Sequence, residues 1–383
     1  MNNPSVSVVI PVHNGGPDLQ ACLQAIAASS WQVHECIVVD DASDDNMTSR
    51  AADAIEARVI WLNTQHGPSF ARNRGVEEAS GDIIFFVDAD VLVHPDTIEK
   101  GIGVLQSEPD TAAVFGSYDD CPGHPSFISK YRNLYHHWIH QTARAEASTF
   151  WTGCSAIWRE VYLETGGLEE SFGQPSIEDI EFGIRLCAAG YRIRLEKDMQ
   201  CRHLKNWTLA NVLTTDIFQR GIPWMTLLLA SKNAPNDLNI NYRSRIATVL
   251  AALLCLLLLF LGFTGQWPSL IPAIAMLASC SVCAFFALAQ KSHNLPALLL
   301  VGLPTTLACA VYPHLPGLLP LLLVMAIVWT QLGFYKLVFK KHNLAFAFAV
   351  VPMQVLFFLG CAISAGAGIT IHFFRKLQGL YAH

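Results

Sequence analysis

In the first half of the chain, apolar residues come in short unbroken runs separated by stretches of helical period. Residues 6–12 form one such run, followed by Leu19, Cys22, Leu23 and Ile26 at helical spacing. Residues 36–39, 59–62 and 83–87 form three more. A helix is expected over 69–79, with Pro68 at its start, where a missing N–H does no harm. Continuous runs rather than alternation mark strands buried on both faces. The pattern therefore predicts an α/β domain with a doubly wound, mostly parallel sheet. Ligands in such sheets bind beyond the carboxyl ends of the strands. Residues 121–148 are rich in aromatics and histidines and read as an irregular or helical insert. Residues 206–232 place Trp207, Leu209, Val212, Leu213, Ile217 and Phe218 on or near one face, an amphipathic helix suited to a membrane interface.

Beyond this point the pattern changes. Residues 246–263 and 268–289 are each long enough for a membrane span, which needs ~20 apolar residues. Residues 295–312 and 315–335 are further candidates, interrupted by Pro304, Pro313, Pro316 and Pro320. Residues 345–374 are a last one, interrupted by Gly366 and Gly368. Four or five hydrophobic segments follow, and with them three regions: a catalytic-type α/β domain over 1–205, an amphipathic interfacial linker over 206–243, and an all-α transmembrane region over 244–383.

Charge sharpens that division. All 31 acidic residues precede Ser244, against 18 basic ones, a formal charge of −13. The tail has seven basic residues and no acid, as a bilayer demands. Arg243 and Arg245, just before the first span, place the preceding domain on the cytoplasmic side of an inner (plasma) membrane, with a multi-pass tail. The start of the chain lacks a basic stretch and a long apolar core, so no signal peptide is expected. The acidic first half argues against nucleic acid as a partner. The 11 cysteines are scattered and read as small core hydrophobes in a reduced compartment rather than a disulfide framework.

Carboxylates sit where the sheet would place a ligand. Asp88-Ala89-Asp90 directly follows the run 83–87. Two carboxylates one residue apart can divide the work, one on a hydroxyl and one on a Mg²⁺ or Mn²⁺ that also binds diphosphate oxygens. The bland alternative is a turn that merely begins with Asp-x-Asp. Asp40-Asp41 closes the second run, where a carboxylate can accept hydrogen bonds from a base or ribose. Pro11-Val12-His13-Asn14 ends the first, its backbone lining the same crevice.

In order and spacing, these segments resemble the inverting glycosyltransferases of family 2, which have the GT-A fold. The matching text is Val8-Val9-Ile10-Pro11-Val12-His13-Asn14, Val38-Val39-Asp40-Asp41-Ala42-Ser43, Ala71-Arg72-Asn73, Val87-Asp88-Ala89-Asp90 and Ile177-Glu178-Asp179. The resemblance covers roughly residues 5–225. It implies a nucleotide-sugar site with Pro11 and Asn14 along the crevice and Asp41 on the base. Asp88 would then contact the ribose and Asp90 the metal on the diphosphate. Arg72 faces the nucleotide or its phosphates on this reading, or else forms a surface salt bridge. His203 completes the metal shell or is structural. Asp179 is implied as the base that takes the acceptor proton, with Glu178 orienting the loop or the acceptor. Arg220 can reach the departing diphosphate, since a guanidinium matches phosphate geometry.

Processive members carry a Gln-x-x-Arg-Trp arrangement, whereas here Gln219 and Arg220 are adjacent and Trp224 is displaced. They also usually carry spans before the catalytic domain. A non-processive transfer is therefore expected, from a nucleotide sugar (a UDP-sugar favoured, a GDP-sugar allowed) to a lipid-linked or saccharide acceptor in cell-envelope, glycolipid or polysaccharide synthesis. Two other function classes fit the sequence less well. A sugar nucleotidyltransferase would need an arginine in the loop 13–18, which has none. A non-enzymatic transporter or scaffold that kept a transferase-like domain would lack the usual intramembrane carboxylates.

Overall fold

The computed structural model describes residues 3–44, 47–231, 236–265 and 318–378. They fall into two compact units, Met1–Asn239 and Ile240–His383.

The first unit is built on one sheet. Its strands are β1 (Val6–Val12), β2 (Glu35–Asp40), β3 (Arg58–Trp61), β4 (Ile83–Val87), β5 (Val91–Val93), β6 (Thr111–Tyr118), β7 (Glu146–Ala147), β8 (Cys154–Trp158) and β9 (Arg192–His203). The order is β3-β2-β1-β4-β8-β6-β9-β5, with β7 on β9. β3, β2, β1 and β4 run parallel, as the unbroken apolar runs predict. All five residues of β4 are fully buried, each contributing ~1.5–3 kcal/mol over an exposed side chain. β8 enters antiparallel between β4 and β6, and β5 and β7 pair antiparallel with β9, so the parallel pattern holds for the first half and for β6–β9.

β9 is far longer than the strand-like stretch 191–195 suggests. Its register against β6 jumps between Phe115↔Leu195 and Ser117↔Gln200, after which its end pairs with β5. β5 follows β4 after only three residues.

Helices α1 (Gly16–Ala27), α2 (Met47–Asp53), α3 (Pro68–Glu78), α4 (Thr97–Ser107), α5 (Phe127–Thr142), α6 (Arg159–Glu164) and α7 (Glu178–Ala188) flank the sheet. α1 buries Leu19, Cys22, Leu23 and Ile26, the four residues its periodicity marks. α5 is the helical form of the aromatic insert, capped by Ser126, whose side chain accepts from the Ser129 N–H. The expected helix at 206–232 resolves into α8 (Leu209–Leu213), a π-helical stretch Thr214–Gly221 and α9 (Ile222–Ser231), with Leu209 and Phe218 exposed. Cys22, Cys36, Cys154 and Cys201 are buried and form no disulfide.

The second unit contains α10 (Tyr242–Phe263), α11 (Leu318–Thr330), α12 (Leu332–Lys341) and α13 (Leu344–Leu377). α10 and α13 are long and apolar enough to cross a membrane. The α11–α12 pair bends by 75° and counts as a third span only if taken together. That break falls at Gln331, while Pro320 sits harmlessly in the first turn of α11. α13 runs unbroken through Gly366 and Gly368, contrary to the expected interruption. Glycine inside a helix costs only ~1 kcal/mol against alanine, well within what packing offsets. Ala247, Ala251, Leu254, Ile327 and Phe358 form the buried core of this unit. The segments 268–289 and 295–312, with Pro304, lie outside the described residues, as do Pro313 and Pro316.

Candidate functional site

The carboxyl ends of β1, β2 and β4 open into a cavity of about 700 Å³, lined wholly by residues of the first unit. Pro11 and Asn14 form one edge. Asn14 holds a left-handed backbone (φ 56), a conformation asparagine tolerates better than most residues. Its N–H donates to Ser43 Oγ and its amide oxygen accepts from the Asp44 N–H, tying the ends of β1 and β2 together. Asp41 is buried, and its two oxygens accept from the N–H groups of His66 (2.8 Å) and Gly67 (2.7 Å). Gly67 (φ 96) passes so close to Gly173 that a Cβ would lie 2.4 Å from its carbonyl oxygen, so only glycine fits. Asp41 thereby fixes the loop that launches α3 and Arg72.

Arg72 is not at the surface: it is 4% exposed. Its Nη2 donates to Asp88 Oδ1 at 2.6 Å, and Nη1 stands 3.6 Å from Glu178 Oε1. Burial disfavours the charged guanidinium, but Asp88 and Glu178 outweigh it and hold it above its ordinary value. Glu178 Oε2 accepts from the Ser176 N–H, and Ser176 Oγ donates to the Gln219 carbonyl at 2.6 Å. A continuous chain of contacts thus runs from Asp88 through Arg72 and Glu178 to the π-helical stretch. Asn73, next to Arg72, turns away from the cavity and fastens Leu168 and Glu170.

Asp179 lines the same cavity from the first turn of α7. Burial, then the neighbouring Glu178 charge, lift its carboxyl from 3.8 to about 7, with Arg220 and Arg72 opposing. That value suits a group that must take up a proton near neutrality. Glu181 pairs instead with Arg185 at 2.8 Å. Arg220 projects from the π-helical stretch, lines the cavity and makes no ion pair among the described residues. Single π turns inside helices recur at functional sites, because they reset the direction in which side chains leave the helix. Here Arg132 of α5 pairs with Asp216 and pins that stretch to the domain.

Asp90 Oδ2 lies 3.3 Å from His203 Nε2, and both residues line the cavity. Burial pushes the Asp90 carboxyl up, but His203 and Lys205 outweigh it and bring it below its usual range. Among the described residues no three His, Cys, Asp or Glu side chains gather as a ready-made metal site. The Asp90–His203 pair still fits a Mg²⁺ or Mn²⁺ ion, which commonly takes one or two protein ligands and fills its shell with phosphate oxygens and water.

Residues that sequence reasoning passed over also face the cavity: Asp18, Tyr118, His136 and Lys205. Burial and the nearby Asp90 raise the Asp18 carboxyl above its usual value. Tyr118 ends β6 and stacks on His203 with ring centroids 4.4 Å apart. Its position at a strand's carboxyl end is the signal that could have found it. Asp18 and His136, on helices, carry no such signal.

The family model "Glycosyl transferase family 2" matches residues 7–166. Glycosyltransferase AglE of Haloferax volcanii is 34% identical over 110 residues, 27% of this chain and 36% of the relative. The undecaprenyl-phosphate 4-deoxy-4-formamido-L-arabinose transferase of Yersinia pestis is 34% identical over 124 residues, 30% of this chain and 38% of the relative. In both cases the match spans little more than a third of the relative's own length. Among solved structures, a mannosyltransferase from Pyrobaculum calidifontis in complex with GDP-Man and Mn²⁺ aligns over 98% of this chain and 89% of its own, with 17% identity and a TM-score of 0.47. Residues 7–166 thus match the glycosyl transferase family 2 model, and in the structure they are built on a mostly parallel sheet flanked by helices.

Proposed function

We propose that the protein is a membrane-anchored inverting glycosyltransferase. It moves one sugar from a nucleotide sugar, UDP-linked or GDP-linked, to an acceptor hydroxyl or lipid phosphate. Residues 1–205 bind the donor and perform the chemistry, 206–243 lie in the interface, and 244–383 anchor the chain in the plasma membrane with the catalytic domain cytoplasmic. The observation that carries this reading is one cavity lined by Asp41, Asp88, Asp90 and His203 together with Asp179, whose carboxyl is raised to about 7.

On this reading Pro11, Asn14 and Asp41 hold the base, and Asp88, oriented by Arg72, holds the ribose. A Mg²⁺ or Mn²⁺ ion held by Asp90 and His203 would neutralise charge on the leaving diphosphate. Asp179 takes the proton from the acceptor hydroxyl as its oxygen attacks the anomeric carbon. The bond from that carbon to the diphosphate oxygen breaks on the opposite face, which inverts the configuration. Its electron pair leaves with the nucleoside diphosphate, and Arg220 meets the departing charge. Glu178 keeps Asp179 and the loop in register. The undecaprenyl-phosphate relative and the apolar tail support an acceptor met at the membrane in cell-envelope synthesis.

The test is a panel of UDP- and GDP-sugars with Mn²⁺ or Mg²⁺, on membranes containing the full chain, scored for nucleoside diphosphate release. Release from one donor class, reduced ~10²–10⁴-fold by Asp179→Asn, is expected. No release from any donor, or full activity in the variant, would sink the reading.

A further inference from the structure

The inner wall of the cavity holds polar groups that donor binding and proton transfer leave unused. Tyr118, His136 and Trp151 all line it. Their rings touch: Tyr118 and His136 centroids are 4.4 Å apart, Tyr118 meets Trp151 edge-on at 4.9 Å, and His136 meets Trp151 at 5.1 Å. α5 contributes three histidines. Two of them fasten the helix to β6: His137 Nδ1 is 2.6 Å from the Tyr118 carbonyl oxygen, and His140 Nδ1 is 3.0 Å from that of Gly116. Those bonds fix where each ring carries its proton.

His136 has no such tie. Its Nδ1 is shut off from solvent without a hydrogen-bond partner, and since the residue lines the cavity, Nε2 is the nitrogen a ligand there could reach. Leaving a buried polar nitrogen unpaired costs ~1–3 kcal/mol, which a phenylalanine or leucine in the same space would avoid. A purely structural residue has no use for that penalty; a residue that meets a ligand does.

We propose that His136 reads the acceptor, its imidazole bonding a hydroxyl of a carbohydrate whose ring rests against Trp151. The inference rests on the transferase reading above and narrows its acceptor to a sugar hydroxyl. A neutral imidazole offers one donor and one acceptor, the same pair a hydroxyl offers, whereas phosphate oxygens only accept. The surroundings keep the ring neutral: burial first, then His140, Arg220 and Arg132, push its titration well below the ordinary value. With neither tautomer fixed from inside, Nε2 can give or take the bond as the sugar requires. The half-buried indole of Trp151 beside it offers the apolar face of a pyranose an aromatic wall.

The experiment uses the full chain in nanodiscs with whichever nucleotide sugar the panel selects. Acceptors are n-octyl glycosides in one arm and undecaprenyl phosphate in the other. His136→Phe keeps the ring volume and removes both nitrogens; His136→Gln keeps one donor and one acceptor. We expect transfer to an octyl glycoside. His136→Phe should raise the glycoside KM about tenfold more than the donor KM, and His136→Gln should recover most of that loss. Equal effects on the two KM values, an unchanged glycoside KM, or transfer confined to the lipid phosphate would overturn the proposal. Should His136→Phe fail to fold, judged by loss of UDP or GDP binding with Mn²⁺, His136→Ala decides: a glycoside KM raised more than the donor KM supports the bond, and a parallel rise in both or an unchanged glycoside KM overturns it. A wild-type chain releasing no diphosphate from any donor is a different result, and strikes the transferase reading itself.

Discussion

Asp179 allows a two-sided test of the proposed chemistry. Its carboxyl is lifted from 3.8 to about 7, which amounts to roughly 4 kcal/mol against ionisation at about 1.4 kcal/mol per pH unit. Burial is the largest cause and Glu178 the next; Arg220 and then Arg72 act in the opposite direction. If ionised Asp179 is the base, about a tenth of the protein is competent at pH 6 and about nine tenths at pH 8. Between those values kcat/KM should therefore rise about tenfold. Glu178→Gln removes the like charge, so the acidic limb should move to lower pH and the ratio should shrink. Arg220→Gln removes the opposing cation, so the limb should move to higher pH and the ratio should grow. Glu178 ranks above Arg220 among the causes, so its shift should be the larger. The assay is diphosphate release under kcat/KM conditions at half-unit pH steps, with each variant compared with itself. Absolute activity will fall in both variants, which is why the position of the limb and not its height carries the result. Two limbs moving in the same direction, or neither moving, would refute the assignment.

Two further outcomes follow from packing. Arg72→Met leaves Asp88 and Glu178 without the cation between them; breaking a buried pair costs ~3–5 kcal/mol, and at ~2–4 °C per kcal/mol the melting temperature should drop by ~6–20 °C. Differential scanning fluorimetry checks this, and a fall below about 2 °C would contradict the buried pairing. Gly183→Ala would place a Cβ 2.2 Å from the Phe150 nitrogen, forcing α7 and its Asp179 off the sheet at a cost of ~1–3 kcal/mol. Gly103→Ala in α4, where nothing lies within 4 Å, is the control and should leave stability equal or slightly higher.

Much of the strand-end wall of the cavity is local and therefore readable. β4 is an apolar run with Asp88 and Asp90 at its end, and no distant residue is needed to infer that a carboxylate there meets a ligand. Arg72 was not readable in the same way. Its charge suggests a surface, and only Asp88 and Glu178, the latter more than a hundred residues away, make burial tolerable. β9 escaped because three consecutive charged residues, Glu196, Lys197 and Asp198, interrupt it before its second half pairs with two different strands. The π-helical stretch leaves no trace in a period of 3.6, since one wider turn shifts direction without changing composition. His136 was hidden for a different reason. Three histidines on one helix look alike until the carbonyls of β6 claim two of them.

The short passage from β4 to β5 sets a limit on shape. Four chain steps separate Val87 from Val91, a reach of at most ~14 Å. In the order of the sheet those strands stand four places apart, ~19 Å on a flat surface. The sheet cannot stay flat, and β9 accommodates the shortfall by swinging over after Leu195, where its register jumps. That swing delivers His203 to Asp90. The spacing Asp88-Ala89-Asp90 is thus a tether as well as a pair of carboxylates at the cavity: one residue more would slacken it and let Asp90 and His203 drift apart.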